Sequence, residues 1–152
     1  KLDNTLIAGA NVQEEVGLRG AKTAAFALKP DFSIALDSTT AADIAGIPTE
    51  SKVCIQGKGV AVSFMDNATI YDKALYNAAI NSGILCQPKA AVAGGNNSGA
   101  IHLSRDGVRT VALSIPCRYI HTHSSVADKS DCENLLYLAK YMINYICSGE
   151  AE

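Results

Sequence analysis

Leu6-Ile7-Ala8-Gly9-Ala10-Asn11-Val12-Gln13-Glu14-Glu15-Val16-Gly17-Leu18-Arg19-Gly20-Ala21 is the stretch on which the reading of the fold turns. Its first seven residues are mostly apolar and of strand length. A polar, acidic turn follows. Leu18, Ala21, Ala24, Ala25 and Leu28 then recur at helical spacing until Pro30 closes the pattern. This order predicts a buried strand over 6–12, a tight turn and an amphipathic helix. The helix feeds a second strand, Phe32 to Asp37, which ends on a carboxylate. Strand, helix, strand is the repeating unit of an α/β fold.

The rest of the chain extends the same alternation. Residues 39–51 read as a loop around Gly46 and Pro48. Short strands are predicted at 53–55 and 60–62 around the turn Gln56-Gly57-Lys58-Gly59. Asp66-Asn67 offers an N-cap, and Ile70, Tyr71, Ala74, Leu75, Ala78 and Ala79 form the buried face of a helix ending near Gly83. A strand over 89–93 leads into Gly94-Gly95-Asn96-Asn97-Ser98-Gly99, followed by a short helix over 100–103. The strand over 110–115 is expected to stop at Pro116. Ser130-Asp131-Cys132-Glu133 has capping-box spacing, and Leu135, Leu138, Ala139, Met142, Ile143 and Ile146 continue a long helix to Gly149. The expected architecture is a three-layer α/β sandwich with a mostly parallel or mixed central sheet. No internal repeat, linker or low-complexity segment interrupts it.

Composition narrows the function classes. The 152 residues (15.9 kDa) suffice for one ordinary domain. Thirteen Lys and Arg against fifteen Asp and Glu give a net charge of −2, too little positive charge for a phosphate-backbone binder, so no nucleic-acid partner is expected. A 48% hydrophobic content is too apolar for a disordered chain. No apolar run approaches the ~18 residues of a membrane span, so no membrane partner is expected. Cys54, Cys86, Cys117, Cys132 and Cys147 form no Cys-x-x-Cys pair, which argues against a zinc ribbon or a thioredoxin-like site. An odd, dispersed set reads as reduced, core-filling thiols in a cytoplasmic protein.

Four places carry candidate chemistry. Glu14 and Glu15 are adjacent acids between a predicted strand and a helix, where open α/β sheets bind ligands. One can ligate a metal while the other serves as a general base on water. The competing reading is a helix first turn that favours acids through its dipole. Asp37 lies at a strand end, as a ligand or as a loop cap. Arg118-Tyr119-Ile120-His121-Thr122-His123 places two histidines in a loop, where either suits a divalent metal and either could simply be solvated. His102 reads as a structural or supporting histidine. The glycine loop 94–99 can present amides to an anion or a carbonyl, but it lacks the Lys of a P-loop and the spacing of a dinucleotide fingerprint. Carboxylates and imidazole together, without thiolate, suit Zn²⁺, Co²⁺ or Mn²⁺.

Three separated motifs go beyond spacing. Asn11 to Ala21, Ser98 to Val108 and Ser114-Ile115-Pro116-Cys117-Arg118-Tyr119-Ile120-His121 resemble, in order, stretches of the TET-type metalloaminopeptidases. This family is also known as glutamyl or deblocking aminopeptidases, and some members carry endoglucanase (cellulase M) names. The resemblance runs from about residue 5 to about residue 147 and implies a zinc-exopeptidase-type fold. It implies two divalent metal ions, with Glu14 as general base, Glu15 and His121 ligating one ion and Asp37 the other. Gly95, Asn96 and Asn97 fall at the family's substrate-side loop, which in many members reads Gly-Gly-Thr-Asp-Ala. The implied activity is release of N-terminal residues from short peptides by a cytoplasmic homo-oligomer, a dodecamer by family resemblance.

The family also needs a His and a bridging Asp well upstream of the Glu pair. Only 13 residues precede Glu14, and His102, His121 and His123 all follow it. Residues 1–152 are therefore expected to be the C-terminal portion of a catalytic domain, cut at Lys1, without the upstream catalytic segment and the inserted dimerisation domain. Taken alone, the chain is expected to lack a complete ligand set and to be inactive. The alternative is a non-catalytic α/β fragment or partner subunit. A glycosidase would use paired acids set apart across a sugar; adjacent Glu14 and Glu15 fit that poorly and leave His121 without a role.

Overall fold

The computed structural model describes residues 4–151. Its elements run α1 (Arg19–Leu28), β1 (Phe32–Thr40), a 3₁₀ turn (Thr49–Ser51), β2 (Val60–Val62), α2 (Lys73–Ile80), β3 (Cys86–Pro88), α3 (Ser98–Ile101), β4 (Arg109–Arg118), β5 (Val126–Ala127) and α4 (Lys129–Cys147). The sheet order is β1-β4-β2-β3, with β5 added to the far end of β4. Strands β1 and β4 pair in parallel, as do β2 and β3, while β2 and β5 run antiparallel to β4. This is the expected α/β class with a mixed sheet.

Strand β4 is central because its sequence is apolar on both faces. Val111 and Leu113 face the main core, where Val60, Val62, Leu75, Ala79, Leu138 and Met142 are fully buried beneath α2 and α4. Ala112 points the other way and packs on Ala35 and Tyr71. In the β1–β4 register Ala35 lies beside Ala112 and Asp37 beside Ser114, so Asp37 belongs to this second face. Asn96 bonds to Tyr71 from the loop entering α3, which puts that loop and α3 over the same face.

Several sequence expectations are corrected. Residues 6–12 form no ladder among the described residues, and Leu6, Ile7 and Val12 are exposed rather than buried. The segment is pinned at its ends, by Asn4 to the Cys147 carbonyl and by the Gly20 amide to the Val12 carbonyl. A strand becomes buried only when neighbours cover it, and β1 pairs on its β4 side alone. Residues 53–55 and 89–93 are irregular, held by single bonds such as Ala90 N–H to the Val53 carbonyl. Strand β4 runs through Pro116 because that position faces the β2 side, where pairing ended at Ser114, so no ladder bond is lost.

Two caps also move. Asp72, not Asp66 or Asn67, caps α2 by accepting from the Leu75 amide at 3.0 Å. Asp128 caps α4 by accepting from the Ser130 amide and hydroxyl, so the Ser130–Glu133 capping-box spacing falls inside the helix. Of the five cysteines, all free, Cys54 and Cys117 are buried while Cys132 is exposed. No described helix is long and apolar enough to cross a membrane.

Candidate functional site

The site is built from strand β1 and two irregular connections, the turn before α1 and the loop after β4. After Val12 the chain turns sharply: Gln13 and Leu18 take left-handed backbone (φ 58° and 56°), and the Gly17 and Leu18 amides close on the Glu14 carbonyl. Helix α1 begins only at Arg19 and has no acid in its first turn. Glu14 and Glu15 therefore do not serve a helix dipole, and the alternative reading of the pair is set aside. Their side chains come from a strained turn, a feature that concentrates at functional sites.

Asp37 lies within β1 rather than at its end, and its Oδ1 accepts from the Ser38 amide at 2.7 Å. His121 follows β4 after a second left-handed turn, at Tyr119 and His121 (φ 59° and 61°). That exit is stapled by Arg118, whose Nε and Nη2 donate to Asp43 at 2.7 and 2.9 Å. Asp43 stands in the loop that leaves β1 and also accepts from the Gln56 amide. The bidentate pair thus ties together the exits of the two parallel strands that carry Asp37 and His121.

Glu14, Glu15, Asp37 and His121 all line one cavity of about 570 Å³, with Leu18, Ser38, Gly94, Gly95 and Ile120. The His121 ring Nδ1 lies 3.7 Å from a Glu15 carboxylate oxygen. Burial raises the pKa of Glu14, and the nearby charges of Asp37 and Glu15 add to the rise. Asp37 is also raised, by burial first and by Glu15 among its neighbours, against the bond from Ser38. Three carboxylates therefore share a space in which their charges repel, a pattern that marks cation-binding and acid–base sites.

A smaller cavity of about 140 Å³ shares the walls of the first at Asp37, Gly94, Gly95 and His121 and continues to Thr40, Val53, Lys89 and Ser114. The glycine loop dividing them is fixed from below. Asp66 accepts from the Ala68 and Thr69 amides, both at 2.8 Å, and from the Tyr71 hydroxyl. Asn96 Nδ2 donates to that hydroxyl at 2.8 Å, and Asn96 Oδ1 accepts from the Ser98 amide. Burial, reinforced by Asp66, holds the Tyr71 phenol far above its ordinary pKa, so it stays protonated.

The loop residues divide accordingly. Gly95 borders both cavities, Asn96 spends its amide on the scaffold while bordering the smaller one, and Asn97 borders neither. Helix α3 is a single turn and offers no anion site of its own. His102 bonds the Ser98 carbonyl at 2.7 Å and acts within the fold, while His123 is exposed. The sequence reading missed Lys89, which it placed inside a strand. The missed signal was a lone cation next to the glycine loop.

The donor chemistry suits divalent ions, since oxygen and imidazole ligands with surplus negative charge line one cavity. The count is short: among the described residues no three His, Cys, Asp or Glu side chains form a group able to hold one ion. Structural and catalytic zinc sites usually use three or four protein ligands.

A sequence profile of M42 glutamyl aminopeptidases matches residues 1–138. A protein of Acetivibrio thermocellus bearing an aminopeptidase name is 40% identical, over 97% of this chain and 44% of its own. The glutamyl aminopeptidase of Lactococcus lactis is 35% identical over 86% and 37%, and the lysyl aminopeptidase of Pyrococcus furiosus 33% over 88% and 39%. Among solved structures, an aminopeptidase of the archaeon Desulfurococcus kamchatkensis superposes with a TM-score of 0.85 at 34% identity, over 88% of this chain and 39% of that one. The TET1 peptidase of Pyrococcus horikoshii, described as assembling into a tetrahedron or an octahedral shell, has a TM-score of 0.69 at 31% identity over 87% and 38%. The chain thus spans about two fifths of the length of these proteins.

Proposed function

The chain belongs to the M42 glutamyl aminopeptidase family, and on that premise we propose that it carries the general base and three ligands of a two-metal aminopeptidase site. One observation carries the reading: Glu14, Glu15, Asp37 and His121, from three separate stretches of the chain, line a single cavity. Glu15 and His121 would hold one divalent ion and Asp37 the other. When bound, such ions supply Lewis-acid polarisation of the scissile carbonyl and acidify water.

The chain's own residues do the rest. The Glu14 carboxylate takes a proton from the attacking water and returns it to the leaving amide nitrogen. Its raised pKa brings it closer to the working pH, where a general base is most effective. The wall Gly94–Gly95, held by Tyr71 and Asn96, bounds the space for the substrate. The substrate is a short peptide with a free N-terminus.

The reading treats residues 1–152 as the C-terminal portion of the catalytic domain, with the upstream segment and the inserted dimerisation domain supplied by a longer, cytoplasmic, homo-oligomeric protein. The two-fifths coverage of the relatives supports a longer protein. The shell-forming relative supports assembly. The short ligand count favours a second reading, a non-catalytic module. The test is hydrolysis of amino-acid p-nitroanilides by the enzyme that carries these residues, after chelation and after addition of Co²⁺ or Zn²⁺. Activity lost with chelation and restored by metal is the expected result. No metal retained and no hydrolysis would favour the module.

A further inference from the structure

The loop that walls both cavities is tied to one segment, residues 66–71. The Asn67 amide donates to the Gly94 carbonyl at 3.0 Å. Two residues further along the loop, Asn96 Nδ2 donates to the Tyr71 hydroxyl at 2.8 Å. Gly94 and Gly95 line the larger cavity, and both also border the smaller one together with Asn96. Gly95 lies between the two attachments and has no side chain with which to fix itself. The Asn96 bond therefore decides where this stretch of wall stands.

Tyr71 joins the wall to the floor of the site. Its ring is buried against Ala35 and Ala112. Those two residues are partners in the β1–β4 ladder, and Ala35 lies two positions before Asp37 on the same face. One side chain thus spans from the strand that carries Asp37 to the loop that faces it. The hydrogen bonds give this link a direction. A phenol has one proton, and here Asp66 Oδ2 accepts it. The phenol oxygen can then only accept from Asn96, which turns the Asn96 amide nitrogen towards Tyr71 and its oxygen towards the Ser98 amide at 2.8 Å. An amide turned the other way would lose both bonds. Asp66, Tyr71 and Asn96 are all buried, so water does not compete for these partners.

We propose that Tyr71 is a positioning residue of the site: through Asn96 it holds the Gly94–Gly95 wall at a set separation from the Asp37 strand, and with it the space in which substrate binds. The proposal rests on the aminopeptidase reading. Glu14, Glu15, Asp37 and His121 come from other segments of the chain, so loosening the wall weakens binding more than it slows the chemical step. Such a loss shows in KM with kcat little changed.

The experiment measures kcat, KM and bound metal with a cleavable amino-acid p-nitroanilide in the enzyme that carries these residues, unsubstituted and as Tyr71→Phe, Asn96→Ala and the double variant. Tyr71→Phe keeps the ring on its alanine floor and removes only the hydroxyl. It is expected to raise KM about tenfold, the scale of one buried hydrogen bond, with kcat held within about threefold and metal content unchanged. Asn96→Ala is expected to raise KM similarly, and the double variant no further, since both substitutions cut the same link. A Tyr71 that serves stability alone would lower the unfolding midpoint and leave KM as it was. An unchanged KM in Asn96→Ala would overturn the proposal whether or not Tyr71→Phe folds, and so would fully additive effects of the two substitutions. Either result, with the p-nitroanilide still cleaved, leaves the peptidase reading intact. No cleavage by the unsubstituted, metal-supplemented enzyme would overturn both.

Discussion

At Asp37 and Glu14 the protein holds charge where the fold would be better without it. Both carboxyls are pushed above their ordinary pKa, first by burial, with Glu15 raising both and Asp37 also raising Glu14. For a raised carboxyl the folded state binds the proton more readily than the unfolded one. The stability it contributes is present at low pH and is lost as pH rises through the raised value. Above the raised values the ionised groups repel their neighbours, and that repulsion opposes folding. Asp37→Asn should therefore raise the unfolding free energy of the metal-free protein at pH 7 by roughly 0.5–1 kcal/mol, read from urea titration, in the manner of functional sites that trade stability for activity. The gain should shrink as pH falls into the carboxylate range. Urea titrations at pH 7 and at mildly acid pH check this; equal gains at both would contradict the repulsion. Asp43 behaves in the opposite sense. The Arg118 bond lowers its pKa, so its contribution is present at neutral pH and lost on acidification.

At the scale of elements, the junction of α4 with the β2 turn depends on one buried acid. Asp131 accepts from the Gly57 and Gly59 amides at 2.7 and 2.8 Å and is fully buried. Gly59 (φ +86°) permits the arrangement, since a Cβ there would collide with the Leu85 carbonyl. Asp131→Ala strands one buried and one half-buried amide and should cost about 2–4 kcal/mol, read as a lower unfolding midpoint with unchanged slope.

This junction also shows what the sequence could and could not reveal. The helical spacing from Leu135 to Ile146 placed α4, and that from Leu18 to Leu28 placed α1, because an amphipathic face is a local property. The capping-box spacing at Ser130 pointed to the wrong start, because Asp128 two residues earlier takes the cap and the Ser130 hydroxyl donates to it. The same holds at 6–12 and 89–93. Their apolar runs are strand-like, but strand formation depends on neighbours that composition cannot name. Within the site, Glu14, Glu15, Asp37, Gly95 and His121 came together at one cavity, while Asn96 and Asn97 did not reach it. Lys89 and the Tyr71–Asp66–Asn96 scaffold did not stand out, since their roles depend on which loops the fold brings side by side.

At the scale of the whole molecule, two parallel strands tied at their exits by Arg118 and Asp43 hold Asp37 and His121, and the turn before α1 brings Glu14 and Glu15 to them. The central claim is that Glu14 is the base of that site. The most direct test is Glu14→Gln in the enzyme that carries these residues, with kcat on a cleavable amino-acid p-nitroanilide measured beside metal content. General-base catalysis contributes about 10²–10⁴-fold. The account expects kcat to fall by about that factor while bound metal is retained, since Glu14 is not assigned as a ligand. A Glu14→Gln enzyme that keeps its kcat would contradict it.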